Sequence, residues 1–276
     1  MLVALVAVWL AFAAVTTDGA IVDYEKSGAV SDSTVFAVAL KNGQILNATL
    51  NALQPGDLFL VPNKTFHLVG GIIVETLFNV TFQLDGTLFF TDDRNTWPTH
   101  GGHVLECLQF NSLTNVTFTS SGKGTLNGNG KKWWGAIKFL ENGEDRPRLF
   151  HILRSQNILF ENILLKDSPF WTFWAENCDG LVVRHSEVDV RVDNADKHDI
   201  ADLQAFNTDG FDITGKNVYM HDLQVLAIIY HFVLDISQTF QAIFINFITR
   251  CSSCTHALYP VCAQVRRSGM MTTALL

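Results

Sequence analysis

A chain of 276 residues, 48% of them hydrophobic, can bury the core of one or two domains. Its formal net charge of −8 gives no support to nucleic-acid binding, which rests on a basic footprint. The same balance gives no general attraction to an acidic ligand, so a site for one has to be local.

Residues 1–15, MLVALVAVWLAFAAV, form an unbroken apolar run followed by the polar Thr16-Thr17-Asp18-Gly19. The run has the length of a signal-peptide core rather than of a membrane span, and Ala11-Phe12-Ala13 offers a small-x-small cleavage site. We therefore expect a signal peptide over 1–20 and an extracellular, secreted product, although no Lys or Arg precedes the run. N-x-Thr sequons at Asn47, Asn63, Asn79 and Asn115 fit a glycosylated surface.

A helix is expected over Ser33–Leu40, with Ser33 as N-cap and Gly43 just past its end. From Tyr24 to Leu223 short apolar runs alternate with Gly, Asn, Asp or Ser. Leu58–Val61, Val80–Leu84, Val116–Phe118, Ile158–Phe160 and Leu181–Val183 read as strands, being short and rich in β-branched and aromatic residues. Asn-Val or Asn-Ile opens a strand at Asn79, Asn115, Asn157 and Asn217, and Asp179-Gly180-Leu181 fills a related place. The intervals are irregular, as in a ladder of coils carrying insertions of different length. An all-β parallel β-helix accounts for this better than an antiparallel sandwich, which would show more hairpin dipeptides than the single loop holding Asn127-Gly128 and Asn129-Gly130.

Several side chains along this region could carry chemistry. Asp92-Asp93 reads as a solvated turn, His100-Gly101-Gly102-His103 as a loop, and Lys131-Lys132 as a solvated pair. Trp133, Trp134, Trp171 and Trp174 are either core or sugar-stacking surfaces. Cys107 and Cys178 are a possible disulfide, while Cys251, Cys254 and Cys262 lack the second ligand pair of a zinc site. No metal and no cofactor is expected.

Asn207-Thr208-Asp209-Gly210-Phe211-Asp212 sets two carboxylates around a glycine. Hydrolysis of a glycosidic bond uses two carboxyl groups flanking it, one protonated and one ionised. Three residues apart on an extended strand, Asp209 and Asp212 would face opposite sides, unless a turn at Gly210 alters the parity. After Leu223 the chain changes character. Asp235, Arg250, Arg266 and Arg267 are the charged residues of 224–276 and Gly269 its one glycine, too few turn-formers for the ladder to continue. Val225–Ile248 is apolar, but Asp235, Gln238 and Gln241 near its middle argue against a membrane anchor.

The segment FNTDGFDITGKNVYMHD at 206–222 resembles the first active-site motif of the polygalacturonase family of pectin-degrading glycoside hydrolases. GAVSDSTVFAVAL at 28–40, GKGTLNGNGKKWW at 122–134 and RPRLFHILRSQNILFENILLKDSPFWTFWAENC at 146–178 follow the family's order, so the likeness covers 21–223. It implies a right-handed parallel β-helix over that domain, a monomer, and inverting hydrolysis of polygalacturonate or related pectic polysaccharide. It also implies that Asp209 is the catalytic aspartate helping to activate the attacking water. Asn207 is then a substrate-side residue that holds local geometry, and Asp212 receives no catalytic role. The family's Asp-Asp pair has no counterpart in LAIIYHFVLD at 226–235, and its Gly-His-Gly and Arg-Ile-Lys motifs are absent. The expectation is a C-terminally truncated or misassembled member, with 224–276 outside the fold and no hydrolase activity in the 276 residues. A non-catalytic carbohydrate-binding protein and a relative of the rhamnogalacturonan hydrolases are the alternatives.

Overall fold

A computed structural model describes residues 19–134, 145–190 and 207–226, together with the backbone of the strands Phe232–Ile236, Phe247–Thr249, Cys262–Arg267 and Met270–Leu275. The expected signal segment lies almost wholly outside the described residues. Among the described residues strands pair in parallel, except in the small hairpin Thr99–His100/His103–Val104 and in the pair Cys262–Arg267/Met270–Leu275. Each coil contributes three short strands. One face stacks Ile72–Val74, Leu108–Asn111, Phe150–Leu153 and the first residues of Phe173–Arg184 and Phe211–His221. A second stacks Leu58–Val61, Thr81–Leu84, Thr114–Thr119, Gln156–Glu161 and the later residues of the same two long strands. The third runs from Thr65–Leu68 through Thr87–Phe90, Gly124–Asn127, Ile163–Lys166 and Glu187–Asp189 to Leu223–Leu226.

The corners explain the asparagine repeat. Asn79, Asn115, Asn157 and Asn217 all take left-handed φ of 52–56°, and Gly180, in the same column, has φ 76°. Asn reaches this region more readily than other non-glycine residues, so it can turn the chain in one step. Corner asparagines also bond the neighbouring coil: Asn157 Nδ2 donates to Asn115 Oδ1 at 3.1 Å, and Asn217 Nδ2 to Asp179 Oδ1 at 2.7 Å.

Between the corners, strands such as Leu58–Val61 and Thr81–Leu84 alternate half-buried and buried residues, as a strand with one face inward must. The inward positions build two aromatic columns. Phe59, Phe82, Phe118 and Phe160 follow one another at 5.1, 5.7 and 6.2 Å between ring centroids. Phe110, Phe150, Phe173 and Phe211 follow at 5.4, 5.3 and 5.4 Å.

Three expectations change. The helix spans Phe36–Ala52, with Val35 rather than Ser33 at its N-cap and Gly43 inside it. Asn42 Nδ2 bonds the carbonyls of Val30 and His67, and a side chain at Gly43 would meet the Val69 carbonyl at 2.4 Å. Polar and glycine residues thus lie on the buried side of the helix, where a hydrophobicity reading ends it early. Cys107 and Cys178 are free, buried thiols. The ladder aligns Leu108 with Phe150 and Phe150 with Phe173, so Cys107 sits level with Thr172. Six residues of strand then separate it from Cys178, on the order of 20 Å, too far to bridge. Finally, pairing carries on past Leu223: Leu223–Leu226 lies on Glu187–Asp189, and Phe232–Ile236 pairs with Phe211–Thr214. Parallel pairing uses backbone groups, which glycine-poor apolar segments supply as well as any other. Among the described residues no helix is long and apolar enough to cross a membrane.

Phe160, fully buried between Phe118, Phe150 and Phe173, tests the columns. Phe160→Ala is expected to cost about 3–5 kcal/mol in urea denaturation, whereas Phe78→Ala, at a site 52% exposed, leaves the midpoint in place.

Candidate active site

The Asn-Thr-Asp-Gly segment leads into the strand Phe211–His221. Asn207 takes a left-handed φ of 53°, so it turns the chain just before the acidic residues. Coil-to-coil bonding starts at once: the Thr172 amide donates to the Asp209 carbonyl at 2.9 Å and the Phe173 amide to that of Gly210 at 3.2 Å. Thr208 is buried, and its carbonyl accepts from Thr172 Oγ1 at 3.4 Å. Phe211 enters the core, while Asp212 stands opposite Trp174, and Trp174 opposite His151.

The two carboxylates that a straight strand would separate lie together. Both are nearly buried, and the Asp209 charge bears directly on Asp212. The extended conformation begins only at Phe211, so the bend through Gly210 resets the parity. Burial first, and the Asp209 charge second, push the Asp212 carboxyl up to about 7, against the opposing pull of Arg148. Its Oδ2 is buried without a hydrogen-bond partner. A like charge beside a buried carboxyl disfavours its ionised form, so Asp212 keeps its proton in mild acid.

Arg148 joins this pair to an aromatic shelf. Its guanidinium lies 4.2 Å from the Trp174 ring centre, 4.6 Å from Trp171 and 5.3 Å from Phe170, and it bonds Glu106 Oε1 at 2.6 Å. His151 stacks on Trp174 with centroids 3.8 Å apart and planes 12° from parallel. Burial, with Arg148 and Arg154 nearby, pushes the His151 imidazole down to about 3, so the ring stays neutral. Burial likewise raises Glu176, whose Oε2 stands 3.8 Å from His151 Nε2.

Among the four candidate tryptophans, Trp133 and Trp134 are core, while Trp171 and Trp174 are half-exposed beside the acids. Lys132 pairs with Asp92 at 3.0 Å, and Asp93 Oδ1 accepts from the Asn95 amide, so the upstream acidic pair is a turn. His100 and His103 sit in the exposed hairpin. Arg148, His151, Glu106 and Glu176 were not legible as site residues. They lie 36 to 106 positions from Asp212 in sequence, and only the coil register brings them near.

Asp212 tests the electrostatics. From its ordinary value of 3.8 to about 7, the folded chain keeps a proton that the unfolded chain has released. Stability therefore falls as pH rises through this window. Asp212→Asn is expected to remove that fall and to leave the variant more stable than the parent at pH 8 by a few kcal/mol, at about 1.4 kcal/mol per unit. Urea titrations of both from pH 4 to 8 read the difference; a constant gap between them would contradict the assignment.

The Cryptomeria japonica protein named polygalacturonase is 28% identical over 224 residues, covering 72% of this chain and 37% of that protein. A probable rhamnogalacturonase A of Aspergillus niger is 25% identical over 206 residues, covering 74% of this chain and 39% of its own length. The chain thus spans about two fifths of the length of these relatives. The crystal structure of polygalacturonase from Erwinia carotovora ssp. carotovora superposes with a TM-score of 0.57, at 19% identity, over 84% of this chain and 61% of that one, which gives the fold as a right-handed parallel β-helix. Residues 57–227 match the model of glycosyl hydrolases family 28, and it is to this family that the chain belongs.

Proposed function

We propose that the chain is a secreted, monomeric polygalacturonase-type scaffold that binds pectic polysaccharide along the face carrying Asp209, and that its 276 residues do not by themselves complete hydrolysis. The carrying observation is the nearly buried Asp209–Asp212 pair beside Arg148, with Trp171 and Trp174 half-exposed next to it. Aromatic faces suit the apolar faces of sugar rings, and a guanidinium suits a uronate carboxylate. In this reading Asp209 orients the attacking water, and Asn207, through its left-handed turn, sets the position of the Asp209 backbone.

Inverting hydrolysis needs acid and base roughly 6.5–9.5 Å apart on opposite sides of the scissile bond. Asp209 and Asp212 sit side by side on one coil and cannot flank that bond. The sequence after Leu226 supplies no Asp-Asp pair to face them. General acid–base assistance is worth about 10²–10⁴-fold, so its loss leaves binding without useful turnover. Polygalacturonan is preferred over rhamnogalacturonan because the Cryptomeria japonica polygalacturonase is the more similar of the two relatives described.

Secretion belongs to the same reading, with 1–20 as signal peptide and 21–223 as the carbohydrate-facing domain. Asn63, Asn79 and Asn115 are exposed, as glycan acceptors must be, whereas Asn47 is half-buried and its Oδ1 accepts from the Ile73 amide at 2.9 Å. Expression through a eukaryotic secretory pathway is expected to yield a product whose mass drops on endoglycosidase treatment, with Asn47→Gln leaving that drop unchanged.

The 276-residue chain is expected to be retarded in gels containing polygalacturonate and to release no reducing sugar. Trp174→Ala should weaken the retardation about 3–10-fold, from a stacking contribution of roughly 0.5–1.5 kcal/mol. Sugar release that disappears in Asp209→Ala would overturn the non-catalytic part of the proposal. Equal migration with and without polygalacturonate would overturn the binding part, and stronger retardation by rhamnogalacturonan would reverse the substrate preference.

A further inference from the structure

The two long strands Phe173–Arg184 and Phe211–His221 end level with each other, Arg184 opposite His221. The next residues, His185 and Asp222, both turn the corner with left-handed φ, 49° and 52°. Stacking of consecutive coils therefore gathers His185, His221 and Asp222 at one corner. A nitrogen from each imidazole and an oxygen of Asp222 all lie within 4.8 Å of one another. Asp222 Oδ2 stands 2.7 Å from His221 Nδ1 and 3.8 Å from His185 Nδ1. The imidazole centroids are 5.4 Å apart with planes at 84°, and the Tyr219 ring supports His221 at 4.8 Å. His185 and Asp222 also line a cleft of about 550 Å³ with Asn162, Ser186 and Glu187, open enough for solvent ligands.

We propose that His185, His221 and Asp222 bind a zinc-class divalent cation, with water in the remaining position. Two imidazoles and a carboxylate are a donor set that such ions favour, whereas calcium and magnesium call for oxygen ligands. Metal–ligand bonds of about 2.0–2.2 Å place donors roughly 3.3 Å apart. His185 and Asp222 are exposed and His221 half-buried, so side-chain rotation closes the remaining gap while the ladder holds the backbone. Among the described residues, Arg184, next to His185, bonds Glu161 at 2.7 Å, and Lys123, which lines the same cleft, bonds Glu187 at 3.2 Å. The site lies at the opposite end of the strand Phe211–His221 from Asp212, so it is separate from the acidic pair. Its ligands come from two coils, and a bound ion would staple them and stabilise the fold by mass action.

The test titrates Zn2+ and Co2+ into the full 276-residue chain carrying Cys251→Ser, Cys254→Ser and Cys262→Ser, so that tail thiols do not compete. One ion per chain is expected, with a rise in Tm and the visible absorption of tetrahedral Co2+. His185→Gln and Asp222→Asn should each weaken binding by at least roughly 10–100-fold. The same changes should leave the metal-free far-UV spectrum and melting curve in place, which separates lost ligation from lost folding. His100→Gln is the control: it removes an imidazole from a hairpin that belongs to no three-ligand group among the described residues. Absence of binding at 100 micromolar metal, or affinity unchanged by His185→Gln, would overturn the proposal.

Discussion

Every feature of this molecule depends on coils stacking in register, so that each residue rests on its counterpart one coil away. Parallel pairing provides the continuous backbone bonding, but short strands need sharp corners at the same height in each coil. Asn115, Asn157, Gly180 and Asn217 meet that need by adopting left-handed backbone conformations in one column. With the corners aligned, phenylalanines fall above phenylalanines, and the two aromatic columns fill the interior. Corner geometry and core packing are thus a single constraint, since shifting one coil by a residue would move its apolar side chains to the outer face.

The same register assembles the acidic site. Asp212, Trp174 and His151 come from three successive coils and are neighbours because the strands pair residue for residue. Burial there has an electrostatic consequence. Asp209 and Asp212 are withdrawn from water near the Arg148 guanidinium, which is bonded to Glu106. One of the two acids consequently favours its neutral form. The Asp212 carboxyl and the His151 imidazole both favour their neutral forms, and each carries buried polar atoms without a hydrogen-bond partner among the described residues. The arrangement places two acids side by side on one coil.

Local patterns failed where long-range contacts overrode them. The helix continues through Gly43 because close approach to Val69 rewards the missing side chain, a contact 26 residues away. Cys107 and Cys178 look like partners by count, yet ladder geometry holds them apart. Strand pairing beyond Leu223 needs backbone alone, so the loss of glycine and charge there does not mark where pairing stops.

By itself, the sequence determined the class of fold and the place of the acidic motif. Short apolar runs, asparagines at strand starts and Asn207 to Asp212 are local signals, set by side-chain chemistry and backbone preference within a few residues. Tertiary structure alone decided which distant groups share an environment: Arg148 with Asp212, Trp174 with His151, His185 with Asp222. The physical reason is that loop lengths between coils vary. Sequence separation therefore says nothing about spatial register, which is settled only when all the coils pack at once.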